Sequence, residues 1–360
     1  MKLLLVAGAR PNFMKIAPLI HELRRDPRGF DFKVAHTGQH YDYQMSQVFF
    51  DELELGEPDY FLGAGGGTRD EQLSNIEIAI GKICALEMPD IVVVVGDVNS
   101  TLGAARAAKQ CGAKVAHVEA GLRSWDWTMP EEMNRIETDR ISDLFFVTER
   151  DAVENLKKEG VDEAKIFFVG NIMIDTLQFW LRKVSQAGRK NAASGRYAVL
   201  TLHRPSNVDN RAKLRELLET IQEIARDMPV YFPVHPRTKK NIEEFGFDSL
   251  LGENVKLLPP LSYMDFLSLW KDAALVLTDS GGIQEETTAL GIPCFTIRDN
   301  TERPITITEG TNVLVGTTKE GILGAYTMFK EGNIKTGRVP ELWDGKTAAR
   351  ILEVLARGIK

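Results

Sequence analysis

Short apolar runs rich in Val, Ile and Leu recur along the 360-residue chain, separated by longer helical patterns. In the first half they are 2–7, 32–37, 91–95, 115–118, 144–147 and 166–169. In the second they are 197–202, 230–234, 255–258, 275–278, 294–297 and 312–315. The runs are continuous rather than alternating, the pattern of strands covered on both faces of a parallel sheet. Two consecutive sets of about six predict an α/β chain with two doubly wound, Rossmann-like domains, and the length suits about two cores. A polar stretch, SQAGRKNAASGR (185–196), lies just before the second set and marks the approximate junction. The expected division is 1–170, 171–344 and a last helical segment, 345–360, that could pack back on the first domain.

A net charge of -7 and 26% charged residues argue against a nucleic-acid partner, which would call for a basic face. No apolar run approaches a membrane span. The opening MKLLLVAGARP is too short for a leader and is interrupted by Arg10 and Pro11, so it reads as a first buried strand. Cys84, Cys111 and Cys294 form no CxxC pair, and an odd, scattered count fits reduced thiols in a cytoplasm.

Ligands of such sheets bind beyond the carboxyl ends of the strands, which makes those ends the candidates. GARPNFMK (8–15) has one glycine, so it is neither GxGxxG nor a Walker A loop. Pro11 suits a helix start, near which Arg10 and Lys15 could join the helix amides on pyrophosphate. GDVNST (96–101) brings Asp97 out of a buried strand, either as a helix cap or as an acid/base in a cleft. HVEAGLRS (117–124) does the same for Glu119, with Arg123 close by. PEEMNR (130–135) spaces Glu131 and Arg135 as an i,i+4 pair, which alone implies no more than a solvated helix face.

In the second half His203 and His235 end strands in TLHRPSN and PVHPRT, and neither has a partner at metal-ligand spacing. Two histidines at equivalent strand ends point to a role beside phosphate. TDSGGIQEE (278–286) places Ser280, Gly281 and Gly282 at a helix N-terminus, where free amides favour an anion. Glu285 and Glu286 would repel that anion if they faced it. DNTERP (299–304) adds Arg303 as a further anion contact.

Together these stretches resemble the non-hydrolysing UDP-N-acetylglucosamine 2-epimerases, in one order and over nearly the whole chain. HVEAGLR, SGGIQEE and TERP are the specific ones; HTGQHYD, the GN at 170–171 and HRPSN accompany them. The resemblance implies a glycosyltransferase-B type fold with the active site in the interdomain cleft, and no nicotinamide, metal or other cofactor. It implies C2 inversion of UDP-GlcNAc to UDP-ManNAc by elimination of UDP to 2-acetamidoglucal and re-addition. Asp97, Glu119, Glu131 and His203 fall on catalytic positions; Arg10, Lys15, Arg135, His235 and Arg303 fall on substrate or nucleotide positions. Ser280, Gly281 and Gly282 would hold phosphate and Glu286 the ribose diol, so the repulsion between carboxylate and anion does not arise. Gln39, His40 and Arg69 are candidates for an allosteric UDP-GlcNAc site, although Asp42 replaces a glutamine of that site. A cytoplasmic homodimer supplying surface polysaccharide is the implied setting. HTGQHYD and SWDWTMPEEMNR also look like the branch acting on UDP-2,3-diacetamido-2,3-dideoxyglucuronate, which is the close alternative. A glycosyltransferase of the same fold and a non-catalytic nucleotide-sugar sensor are more remote.

Overall fold

The computed structural model describes residues 1–26, 28–38, 50–187, 193 and 195–357. The chain divides into two compact units, Met1–Thr176 with Glu341–Lys360, and Leu177–Pro340.

The first unit carries a seven-stranded parallel sheet: β1 (Lys2–Ala7), β2 (Asp31–His36), β3 (Tyr60–Phe61), β4 (Ile91–Val95), β5 (Lys114–Val118), β6 (Leu144–Val147) and β7 (Ile166–Phe168). Its order is β3-β2-β1-β4-β5-β6-β7. The valines of β4 are buried throughout because helices cover both faces. β3 has only two residues and no apolar run, so nothing in the sequence announces it. The order reverses between β1 and β4, which makes the loops after those two strands the natural ligand site of this unit.

The second unit repeats the plan in six parallel strands: β8 (Ala198–Thr201), β9 (Val230–Pro233), β10 (Val255–Leu258), β11 (Leu275–Thr278), β12 (Cys294–Thr296) and β13 (Asn312–Leu314). The order β10-β9-β8-β11-β12-β13 reverses between β8 and β11. Those strands lead into HRPSN and DSGG. In each unit, therefore, the switch point coincides with the polar strand ends picked out in the sequence.

The boundary between the units differs from the expected one. The first unit continues to Thr176, inside the helix Ile172–Gln186, well before the polar stretch at 185–196. The reason lies in the start of that helix: the Thr176 hydroxyl bonds the Met14 carbonyl, and Asp175 binds the closing segment. That segment belongs to the first unit. Asp175 accepts from the backbone N–H groups of Thr347 at 3.1 Å and Ala348 at 2.9 Å, capping the helix Thr347–Ala356. Trp343 donates from its indole to the Thr148 carbonyl at 3.2 Å. Gly170, at φ 92°, is required here, since a Cβ on it would come within 2.1 Å of the Leu342 carbonyl oxygen.

Candidate active site

In the first unit the turn after β1 is tied to the end of β4 by Asn12. Its side-chain oxygen accepts from the Gly8 and Ala9 amides, and its Nδ2 donates to the Val95 carbonyl at 2.9 Å. One helical turn on, Lys15 is buried and ion-paired with Glu119, which leaves β5 in the left-handed region at φ 72°. A Cβ on Gly96 would approach the Lys15 ammonium to 2.8 Å, so glycine is what lets this pair lie across the strand ends. An exposed-looking cation and a strand-end carboxylate thus form one buried unit.

Asp97 is not a helix cap: the cap position of the helix Asn99–Gln110 is Val98, with no side-chain bond. Its carboxylate instead receives a 2.6 Å bond from Arg135, and its backbone carbonyl accepts from Asn134 at 2.9 Å. The i,i+4 pairing of Glu131 with Arg135 is corrected by the structure, in which Arg135 bonds Glu132 at 2.5 Å. Glu132 is fully buried because the preceding loop folds onto it: the Ser124 and Trp125 amides and the Ser124 hydroxyl all donate to its carboxylate. With Glu132 turned inward, Glu131 faces solvent. Arg69 opens the helix Arg69–Glu87 and donates to Asn134 at 2.7 Å, which joins it to the support of Asp97. Gln39 and His40 lie outside the described residues, as does the side chain of Arg10, whose backbone starts the first helix.

Arg123 does not meet Glu119. It is buried in a separate network, 2.7 Å from Asp139 and 2.7 Å from Glu159. His117 joins it, its ring nitrogens 2.7 Å from Asp139 and 2.9 Å from the Gly96 carbonyl. Burial alone would raise the Asp139 carboxyl, but the His117 and Arg123 charges outweigh it and hold it below the usual range. This network underlies the Gly96–Asp97 turn, so half of HVEAGLR is scaffold.

In the second unit the buried carboxylate of Asp279, at the end of β11, organises the loop after β8. It accepts from the His203 and Arg204 amides, from Asn207, and lies 2.8 Å from His203 Nδ1. Burial would raise its pKa; His203 reverses the sign and holds it low. The rest of the His203 ring is partly exposed. The His235 ring lies 5.7 Å from it and caps the helix Pro236–Phe245 by accepting from the Arg237 amide at 3.2 Å. Burial, then the charge of His203, lowers the His235 pKa.

The helix Gly281–Leu290 begins beside this group; its N-cap Ser280 makes no side-chain cap bond, and the Ser280 amide donates to the Thr278 hydroxyl at 3.0 Å. Its first amides are therefore left for another acceptor. A Cβ on Gly282 would meet nothing within 4 Å, whereas one on Gly281 would lie 2.7 Å from Glu302. The Glu302 carboxyl, pushed up by burial, is pulled well below the usual range by Arg303 and Arg298. Arg303 is buried, with its Nε 2.7 Å from Glu285. Glu286, one position on and also buried, accepts from the Tyr263 hydroxyl. The two adjacent glutamates thus face different partners.

Sequence reasoning missed Asp279, Glu132 and Tyr263. Asp279 stands at a strand end like Asp97 and could have been found by the same rule. Glu132 and Tyr263 had no signal of their own, since their partners are supplied by tertiary folding.

Comparison with known proteins fits this geometry. Residues 21–356 match the family model described as UDP-N-acetylglucosamine 2-epimerase. The chain is 43% identical to the UDP-N-acetylglucosamine 2-epimerase of Methanocaldococcus jannaschii, over 99% of its own length and 100% of that protein's. It is 38% identical, over 99% and 100%, to the UDP-2,3-diacetamido-2,3-dideoxy-D-glucuronate 2-epimerase of Pseudomonas aeruginosa. The crystal structure of the M. jannaschii enzyme in complex with UDP-GlcNAc and UDP superposes with a TM-score of 0.88 at 42% identity, covering 99% of this chain and all of that one. With two Rossmann-like units built around these strand ends, the chain belongs to the UDP-N-acetylglucosamine 2-epimerase family, a family of isomerases.

Proposed function

We propose that this protein interconverts UDP-GlcNAc and UDP-ManNAc by inverting C2 of the sugar. The observation that carries the reading is a set of three strand-end or helix-start carboxylates in the first unit, each held differently. Asp97 is bonded to Arg135, Glu119 is paired with Lys15, and Glu131 is open to solvent. The C2 proton lies beside an amide nitrogen, so its removal yields no stabilised enolate. Elimination solves this: a base takes the proton while UDP leaves C1, giving 2-acetamidoglucal, and UDP returns after protonation on the opposite face. Both faces then need an acid/base group, each contributing roughly 10²–10⁴ in rate. The leaving pyrophosphate gains charge, and the amides of Gly281 and Gly282, beside Ser280 whose own amide bonds the Thr278 hydroxyl at 3.0 Å, are with His203 the donors that would stabilise it. Glu286 would accept from the ribose diol, and Lys15, Arg135, His235, Arg303 and Arg10 complete the binding set by family resemblance. The steps move only protons and UDP, so turnover is expected to survive EDTA and to need no added NAD.

The test is product analysis in D₂O. Deuterium should appear at C2 of the product, and ¹⁸O should scramble from the bridging position into the non-bridging β-phosphate oxygens. Epimerisation without label at C2 would overturn the mechanism. The diacetamidoglucuronate reading is favoured by the full-length Pseudomonas relative, and NMR turnover assays with each UDP-sugar decide between the two. Family resemblance also supports a cytoplasmic homodimer supplying ManNAc units for surface polysaccharide; sedimentation of the purified protein checks the dimer.

A further inference from the structure

The helices Arg69–Glu87 and Asn99–Gln110 pack against each other through small residues. A Cβ on Gly103 would come 2.8 Å from Ile76, and Ala104, Ala107 and Ala108 share one buried cluster with Ile80, Ile83 and Cys84. Close backbone approach brings the two C-terminal ends together, and each end carries a cysteine. Cys84 is buried on the first helix. Cys111 caps the second, its amide bonded to the Ala107 and Ala108 carbonyls, and it is exposed. The Cys111 thiol lies 3.8 Å from the Gly81 carbonyl, one turn before Cys84. Both line a surface cavity of about 310 Å³ beside Met88 and Pro89. Nothing in the proposed reaction uses this pair.

We propose that Cys84 and Cys111 form a modification site: a dithiol that closes to an intramolecular disulfide on exposure to small-molecule disulfides. The exposed Cys111, as thiolate, attacks one sulfur of the small disulfide, forming a mixed disulfide and expelling one thiol. Cys84 then gives its proton to solvent and attacks Cys111 Sγ, expelling the second thiol. Two protein thiols are oxidised and one small disulfide is reduced, with no other reactant. The cavity gives the oxidant access to Cys111. Burial pushes the Cys84 thiol up to about 12, which makes the second step the slow one and accelerates it as pH rises. Cys294, also pushed up to about 12 but wholly buried in the second unit, has no cysteine beside it among the described residues and serves as an internal control.

The site is independent of the epimerase reading. The experiment is exposure of the reduced protein to excess oxidised glutathione, read by intact mass and by non-reducing peptide mapping. The expected product is a monomer lighter by two hydrogens, with no retained glutathione and with the Cys84 and Cys111 peptides linked. Cys111→Ser should abolish the linkage, and its position in solvent makes it safe for the fold. Cys84→Ala should instead retain one glutathione on Cys111. A glutathione adduct that persists on Cys111 in the wild-type protein, a dimer linked through Cys111, or an unreacted protein would each overturn the proposal. The wild-type map alone decides the question should the buried Cys84 variant fail to fold.

Discussion

The acid/base role proposed for Asp97 requires a carboxylate that is aimed without being left loose. Asp97 is aimed by a relay whose far end is fixed in the backbone: the Ser124 and Trp125 amides hold Glu132, Glu132 holds one arm of Arg135, and Arg135 holds Asp97. Arg135 is only 3% exposed, and its fork is what reaches two carboxylates at once. Lys at this position cannot span both, so Arg135→Lys is expected to lower turnover by roughly 10-fold or more. Glu132→Gln replaces one of the two accepting oxygens by a donor and weakens the hold on Arg135, and a smaller fall in kcat with unchanged UDP affinity should follow. Rate assays paired with calorimetry check both, and equal losses in UDP affinity and turnover in Glu132→Gln would count against a positioning role for Glu132. The same residues show where reading stops. PEEMNR offers two adjacent glutamates to one arginine, at i,i+4 and i,i+3. Which of them turns inward is decided by the loop at 124–129 folding onto Glu132, an event with no trace in local spacing.

Elements were legible where physics is local. β4 is a run of apolar residues that only a covered strand can accommodate, and the glycines of SGG announce a helix tip that backbone must approach closely. β3 was not legible, because two residues paired at a sheet edge carry no period. The helix tip yields a sharp prediction from the space above it. Gly282 adopts ordinary helical backbone with nothing within 4 Å of a would-be Cβ, so Gly282→Ala should leave Tm unchanged or slightly raised. If phosphate sits on those amides, the added methyl occupies its approach, and UDP affinity should fall by about 10-fold or more while the fold is intact. Unchanged UDP binding in calorimetry would remove the phosphate from this tip. The closing helix gives a pH signature. Burial raises the Asp175 pKa from 3.8 to about 6 in the folded chain, opposed by the Ala348 and Thr347 amides it caps. A carboxyl with a raised folded pKa binds more protons folded than unfolded. Its contribution is therefore complete below pH 3.8 and is lost as pH rises through about 6. The stability of wild type relative to Asp175→Asn should decline across that window by about 1–3 kcal/mol, measured by denaturant melts at each pH. A flat difference would mean that the carboxyl is more solvated than the structure has it.

Over the whole molecule, the proposed chemistry is divided between two sheets that each follow the same rule. The reversal beside β1 and β4 gathers the carboxylates proposed as acid/base groups, and the reversal beside β8 and β11 gathers the donors proposed for the nucleotide. The family could be recognised from strand-end motifs because a doubly wound sheet exposes those ends and buries nearly everything else. Supporting residues such as Glu132 and Tyr263 are contributed by packing and stay silent in sequence. The division has a thermodynamic consequence. Under the proposed assignment binding and chemistry lie on different units, so the effects of variants in the two units should separate rather than mix. Glu286→Ala removes the carboxylate proposed for the ribose diol and should weaken UDP binding by about 1–3 kcal/mol, roughly 10- to 100-fold, with little change in inorganic phosphate binding. Asp97→Asn, Glu119→Gln and Glu131→Gln should leave UDP affinity near wild type. Each should nevertheless lower turnover by roughly 10²-fold or more, because the acid/base function is removed at constant size. A variant that mainly impairs re-addition should release free UDP and 2-acetamidoglucal, a product that no transferase or sensor would make. Calorimetry with UDP alone, turnover by NMR and thermal melts on all four variants form one experiment. If the three first-unit variants keep near-full rates while intact, the carboxylates are not the acid/base groups and the elimination mechanism has no agent. If they lose UDP affinity as heavily as Glu286→Ala does, the division of labour between the two switch points is wrong, whatever becomes of the rates.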